Sequence, residues 1–149
     1  MMNQMMQLSD SGLVGNGEYI LYFRSDELGE VAIRLMMLVW EIVPAVVFLT
    51  GTEIVTLKVL HGEDRVSKGT VTRVNNKLEF LLGINQIECL LGVVLRALAS
   101  GGVAETPHIH IEALLSDTPY DLTVFFEHVQ PPLSQEEVEK AAKSLNRKL

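Results

Sequence analysis

Within the stretch PHIHIE, two histidines, His108 and His110, stand one residue apart, and the carboxylate of Glu112 follows at the same interval. On a β-strand that spacing sends His108, His110 and Glu112 to one face and Ile109 and Ile111 to the other. Two imidazoles at i and i+2 can reach one divalent ion. A metal centre also needs a third or fourth ligand and outer partners that fix the ring tautomers. The remaining histidines are His61, in a polar turn, and His128, near the end of a later strand. Nothing in their spacing forces convergence, and neither HExxH nor CxxC occurs. The face therefore reads first as solvent-facing polar positions or a recognition surface, with a metal site behind both. Asp121 lies across the next turn from Glu112, and neighbouring carboxylates shift each other's ionisation. No nucleophile stands out beside them. His108, His110, Glu112 and Asp121 are thus candidate binding residues, and no catalytic residue, metal ligand set or cofactor is assigned.

The glycines at 12, 15 and 17 form no phosphate loop, because GxxxxGK[ST] is absent and no strand leads into them. Tyr19, Tyr22 and Phe23 have only Arg24 as basic company, too little for a platform that stacks single-stranded nucleic acid. The net charge of −7 argues the same way, since nucleic-acid binding needs a basic footprint. It is compatible with a basic protein partner, where charge sets encounter rate and specificity.

At 149 residues the chain suits one domain. Its apolar fraction is 48% with only 6% aromatics, and its mean hydropathy is +0.24. That excess of Leu, Val, Ile and Met calls for a large core or for surface buried against another chain. A homodimer is the simplest such assembly. The lone cysteine, Cys89, rules out an intramolecular disulfide and fits a reducing cytoplasm. Cys89 has no partner base in the sequence pattern and reads as structural or incidental. The most membrane-like run, residues 31–49, contains Arg34, Glu41 and Pro44, so it reads as a buried helix followed by a strand.

Residues 1–16 read as a flexible N-terminal tail without signal-peptide character, and 17–149 as the folded domain. EYILYFR is a strand. Residues 26–43 are helical, with Leu28, Val31, Leu35, Leu38, Val39 and Ile42 on one side and Glu27, Glu30, Arg34 and Glu41 opposite. Ile33, Met36, Met37 and Trp40 widen the apolar arc, so most of this helix must be covered. Two apolar runs separated by Gly51 and Thr52 follow as a hairpin or a bent strand, then a polar turn over residues 61–69 and a hairpin with its turn at Asn75 and Asn76. A second helix starts with Asn85 as cap, Glu88 as its capping-box partner and a staple of Ile84 with Cys89. Ile87, Leu91, Val94 and Leu98 form its seam, and Gly101 and Gly102 its stop. HIHIEALL and YDLTVFFEHV are strands joined by a turn at residues 116–119. A final helix is capped by Ser134 and Glu137 after Pro131 and Pro132. The expected fold is α+β: one domain with a mixed, mostly antiparallel sheet, packed by two apolar helices plus a C-terminal surface helix.

The segment LEFLLGINQIECLLGVVLRALAS, then HIHIE, then YDLTVFF resembles a module of bacterial polymorphic-toxin immunity proteins and related uncharacterised families. The resemblance rests on Gly83, Leu91, Leu95, Leu98 and Ala99, on His108, His110 and Ile111, and on Leu122, Thr123 and Val124. It implies a small acidic cytoplasmic binding protein that neutralises a cognate toxin by complex formation and is not itself an enzyme. A metal-assisted hydrolase using His108 and His110 is the alternative, and an oligomerisation or structural module a third.

Overall fold

In the computed structural model, which describes residues 5–61, 69–102, 108–127 and 135–148, the β-branched and aromatic runs close into two mixed sheets. The chain opens with strands β1 (Met5–Gln7), β2 (Leu13–Gly15) and β3 (Glu18–Phe23). A 3₁₀ turn at Ser25–Glu27 leads into helix α1 (Leu28–Val39). Strands β4 (Val46–Thr50), β5 (Glu53–Val59), β6 (Gly69–Val74) and β7 (Lys77–Leu82) precede helix α2 (Ile84–Ala99). Then come β8 (His108–Ile111), β9 (Ala113–Leu115), β10 (Thr118–Pro119), β11 (Asp121–Phe126) and helix α3 (Gln135–Lys148). One sheet has the order β1-β4-β5-β7-β6-β9-β10, the other β2-β3-β11-β8.

Alternation builds the core. Val46, Phe48, Val55, Leu57, Val71, Leu78, Phe80 and Leu82 bury one face of the larger sheet. Tyr19, Leu21, Phe23, Leu122, Val124 and Phe126 bury one face of the smaller. Phe23 meets Phe48 across the sheets with ring centroids 5.4 Å apart. These residues join the buried faces of α1 and α2 in one cluster, so the chain is a single α+β domain as its pattern indicates. The expected hairpin at Asn75 forms, and the runs around Gly51 make a hairpin rather than a bent strand, with Gly51 at φ 71° and Asn75 at φ 57° in their turns. Parallel pairs arise where separate units abut: β1 on β4, β3 on β11, β5 on β7 and β6 on β9.

HIHIEALL is not one strand. It breaks at Glu112, so that β8 pairs with β11 in the smaller sheet and β9 pairs with β6 and β10 in the larger. Ser116 and Asp117, both at positive φ, turn β9 into β10. The chain then returns through Tyr120 to β11, and the Tyr120 N–H donates to Ala113 O at 3.0 Å. One long hairpin is thus shared between two sheets.

Residues 5–15 are not a tail. β1 adds to the edge of the larger sheet and β2 to the smaller, and Met6 is 3% exposed. Strands of three residues carry too little local signal to be read without their partners. Arg34 also departs from the expected solvent arc of α1, being 5% exposed. Its Nη2 donates to Glu30 Oε1 at 3.0 Å and to Met5 O at 3.5 Å, so β1 covers it. Glu27 is buried too. Its Oε1 accepts the Arg24 N–H and its Oε2 accepts the Ser9 N–H, both at 2.9 Å, tying the first residues to the start of α1.

α1 ends well before Pro44. The Ile42 N–H reaches Met37 O at 2.8 Å and the Glu41 N–H reaches Leu38 O at 3.1 Å, a Schellman closure with Glu41 at φ 59°. The run 31–49 is thus helix and then strand, and no helix among the described residues is long and apolar enough to cross a membrane. α2 starts two residues earlier than expected. Gly83 is the cap, and Gln86, rather than Glu88, accepts its N–H at 3.0 Å. The buried seam is Ile87, Leu90, Val93, Val94 and Ala97, leaving Leu91 half-buried and Leu98 exposed. Gly101 and Gly102, both at positive φ, close the helix as expected. Residues 62–68, Thr106 and Pro107, His128, Pro131 and Pro132, and Ser134 lie outside the described residues.

Glu27→Ala leaves two backbone donors without their acceptor. It is expected to lower the unfolding free energy by about 2 kcal/mol in urea titration, with Glu27→Gln losing less. Burial, and after it the nearby Glu53 carboxylate, raises the pKa of Tyr19, whose hydroxyl bonds Thr50 Oγ1. Its folded pKa lies above the unfolded value, so its contribution is complete below about pH 10 and is lost as pH rises toward the folded pKa. Stability followed through alkaline pH should therefore fall less steeply in Tyr19→Phe than in the parent chain.

Candidate functional site

Pairing of β3, β11 and β8 carries the histidines into a defined setting. Asp121 lies opposite Glu18, Thr123 opposite Ile20 and His110, and Phe125 opposite Tyr22 and His108. Cross-strand partners share a face, so Glu18, Ile20, Tyr22, Asp121, Thr123, Phe125, His108 and His110 project away from the core. Ile111, Leu122 and Val124 project into it. The expected division of β8 therefore holds for His108, His110 and Ile111.

Glu112 departs from that division. It sits at the crossing between β8 and β9, where its carbonyl accepts the Gln86 Nε2–H at 2.7 Å. The ladder of β8 with β11 ends at Ile111 and Leu122, one step short of Glu112 and Asp121. Asp121 instead stands beside Glu18 across the parallel pair. Cys89 is exposed, and with Asn85, Gln86, Ile109, His110, Ile111 and Glu112 it lines a groove of about 270 Å³ between α2 and β8. His61 lies elsewhere, with Leu38, Glu41 and Val59 near the end of α1. Among the described residues no three His, Cys, Asp or Glu side chains are grouped to hold a metal ion.

Thr123, which the sequence marked only through the family resemblance, and Glu18, which it did not single out, organise the face. Thr123 is 1% exposed despite its outward position, because its neighbours close over it. Its hydroxyl donates to Glu18 Oε2, and His110 Nδ1 lies 2.9 Å from that hydroxyl oxygen, Thr123 Oγ1. A hydroxyl has one proton to give. With that proton directed to the carboxylate, Nδ1 must be the donor, and the neutral ring keeps its lone pair on Nε2. His110 Nδ1 is 3.9 Å from Glu18 Oε2, close enough for an ion pair when the ring is protonated. The order of groups differs from a catalytic triad, in which the hydroxyl sits at the end of the chain and passes its proton to histidine. Here the hydroxyl is central and covered, so the chain positions His110 rather than activating a nucleophile.

Beside it the rings form a row across three strands. Tyr22 and Phe125 stack at 5.9 Å with planes 4° apart, and Phe125 and His108 at 5.0 Å and 28°. His108 then meets His110 edge-on at 5.0 Å. The ring faces are taken up by one another. Among the described residues, no Lys or Arg occupies an outward position of the four strands. Arg24, just past β3, is held by a bidentate pair with Asp10. The parallel match of β3 with β11 generates all of this, and two strands about a hundred residues apart leave no local sign of it. Comparison of the chain with protein-family models, with curated proteins and with solved structures finds no match.

Thr123→Val removes the hydroxyl that sets the His110 tautomer. Nitrogen NMR of the neutral ring should show the Nδ1–H form in the parent chain and a shift toward the Nε2–H form in the variant. Stability should fall by about 1–3 kcal/mol. An unchanged ring signal would remove the hydroxyl from this role.

Proposed function

We propose that the chain is a small binding protein that works by complex formation, with no catalysis of its own, and that the outward face of the β2-β3-β11-β8 sheet is its contact surface. The observation that carries this reading is the ordered row of Tyr22, Phe125 and His108 beside the fixed His110, with Glu18 and Asp121 along it and, among the described residues, no Lys or Arg facing outward. Aromatic anchors fixed by their neighbours suit an interface centre. The acidic groups suit a basic partner, in keeping with the net charge of −7.

The resemblance to polymorphic-toxin immunity proteins makes that partner a cognate toxin, met in the cytoplasm. The binding unit is a homodimer, which the apolar excess calls for.

The test is calorimetry of the purified chain against the product of an adjacent gene, at low and moderate salt. Tight binding that weakens with salt is expected. Phe125→Ala should raise Kd by about thirtyfold, the size of a central hot-spot loss. Asp121→Lys should slow association. Failure to bind or inhibit any neighbouring product would overturn the proposal, and binding indifferent to all face substitutions would move it to another surface.

A further inference from the structure

α1 carries two apolar faces, and only one of them is inside. Leu28, Val31, Ala32, Leu35 and Leu38 are buried against the core. On the opposite side Gly29, Ile33, Met36 and Trp40 form a second stripe with Met37 at its edge. Trp40 is 66% exposed, Ile33 45%, and Ile42, just past the helix end, 61%. The Schellman closure at Glu41 holds Trp40 and Ile42 in this exposed position. The stripe carries no charge. Glu30 at its border is paired within the helix to Arg34.

We infer that this face is where a second copy of the chain docks, α1 against α1 in antiparallel order about a two-fold axis. The inference rests on the homodimer part of the proposed function and names its surface. Spacing points to a second copy. Gly29 precedes Ile33 by four residues and Met36 precedes Trp40 by four, so the reversed stripe matches itself. Ile33 then faces the partner's Met36. The indole of Trp40 faces the partner's Gly29, where a Cβ would have nothing within 4 Å. The largest side chain of the stripe thus meets its one notch, twice, as an isologous contact requires. The intervals of four, three and four residues are those of a helix seam.

Charge points the same way. Molecules of net charge −7 repel each other, so they can pack closely only through an uncharged surface. A basic partner would find no acid on this stripe to meet it. Stable interfaces bury about 800 Å² a side, more than four side chains supply. Leu95 and Leu98, exposed on α2 beside α1, and Ile42 complete the footprint. A glycine inside a helix weakens it relative to alanine, and close packing of the indole offsets that cost.

Trp40 is the only tryptophan, so it reports on its own burial. Sedimentation velocity of the full chain from submicromolar to hundred-micromolar concentration should show a monomer–dimer equilibrium. The tryptophan emission should shift to the blue over the same range. Ile33→Glu should abolish both changes while circular dichroism stays that of the parent. Gly29→Leu, which improves helix propensity and has room in the monomer, should raise thermal stability of the monomer yet weaken dimerisation at least tenfold. A monomer at every concentration would overturn both the inference and the homodimer reading. A dimer that survives Ile33→Glu and Gly29→Leu, or forms without an emission shift, would overturn the inference alone. Toxin binding is assayed separately by calorimetry, so its failure leaves this result standing.

Discussion

Everything in this fold passes through one covalent constraint: residues 108–126 form a single hairpin that has to satisfy two sheets. Its strands start in the smaller sheet as β8 and finish there as β11, while its tip belongs to the larger sheet as β9 and β10. The backbone cannot change sheets without interrupting its ladder, and interrupted polar groups inside a protein must find other partners. They do so at both crossings. Gln86 takes up the carbonyl of Glu112, Ala113 the amide of Tyr120, and Gly17 the amide of Asp121. Gln86 also receives the first amide of the α2 cap, so one side chain joins the helix start to the crossing. The two sheets therefore form one body, and the face on which His108 and His110 emerge is settled by that crossing.

Much of this was legible in the chain because it is local. Alternation placed Ile111 inside and the histidines outside. Asn75 marked a hairpin turn and Gly51 a turn or bend, since each takes a backbone conformation that most residues avoid. Paired apolar stripes marked both long helices. Where the reading slipped, a long-range contact had overruled a local preference. α2 turned its seam toward Leu90, Val93 and Ala97 because α1 and the sheets approach from that side. Arg34 is covered because β1 comes to it from the other end of the chain. Glu112 left the face because the hairpin bends there. The Glu18–Thr123 contact joins residues 105 apart, and no periodicity carries information over that distance.

Polar groups do much of the fastening at the surface of the core. Glu27 collects amides from two separate segments. Glu127 accepts the amide and the hydroxyl of Ser25, which holds its carboxyl below the usual range and pins the end of β11 to the entry of α1. Arg24 and Asp10 close the same corner, and the hydrogen bonds between them, with their opposite charges, favour ionisation of both. These links converge where the N-terminal segment, β3, α1 and β11 meet. A short edge strand such as β1 would have too little pairing to stay in place by its ladder alone. The carboxylate ties give it a fixed address.

The central hydroxyl of Thr123 has a consequence for how such a face changes over time. It hands its proton to Glu18, and by doing so leaves His110 an outward-facing acceptor. Were residue 18 unable to accept, the same hydroxyl could turn to the imidazole and leave His110 an outward-facing donor. One substitution on β3 would then invert the hydrogen-bonding sense of a residue on β8, with no backbone moved. The vocabulary of the surface is thus written partly by a neighbouring strand. That provides a short mutational route by which two descendants of one chain could come to prefer different partners.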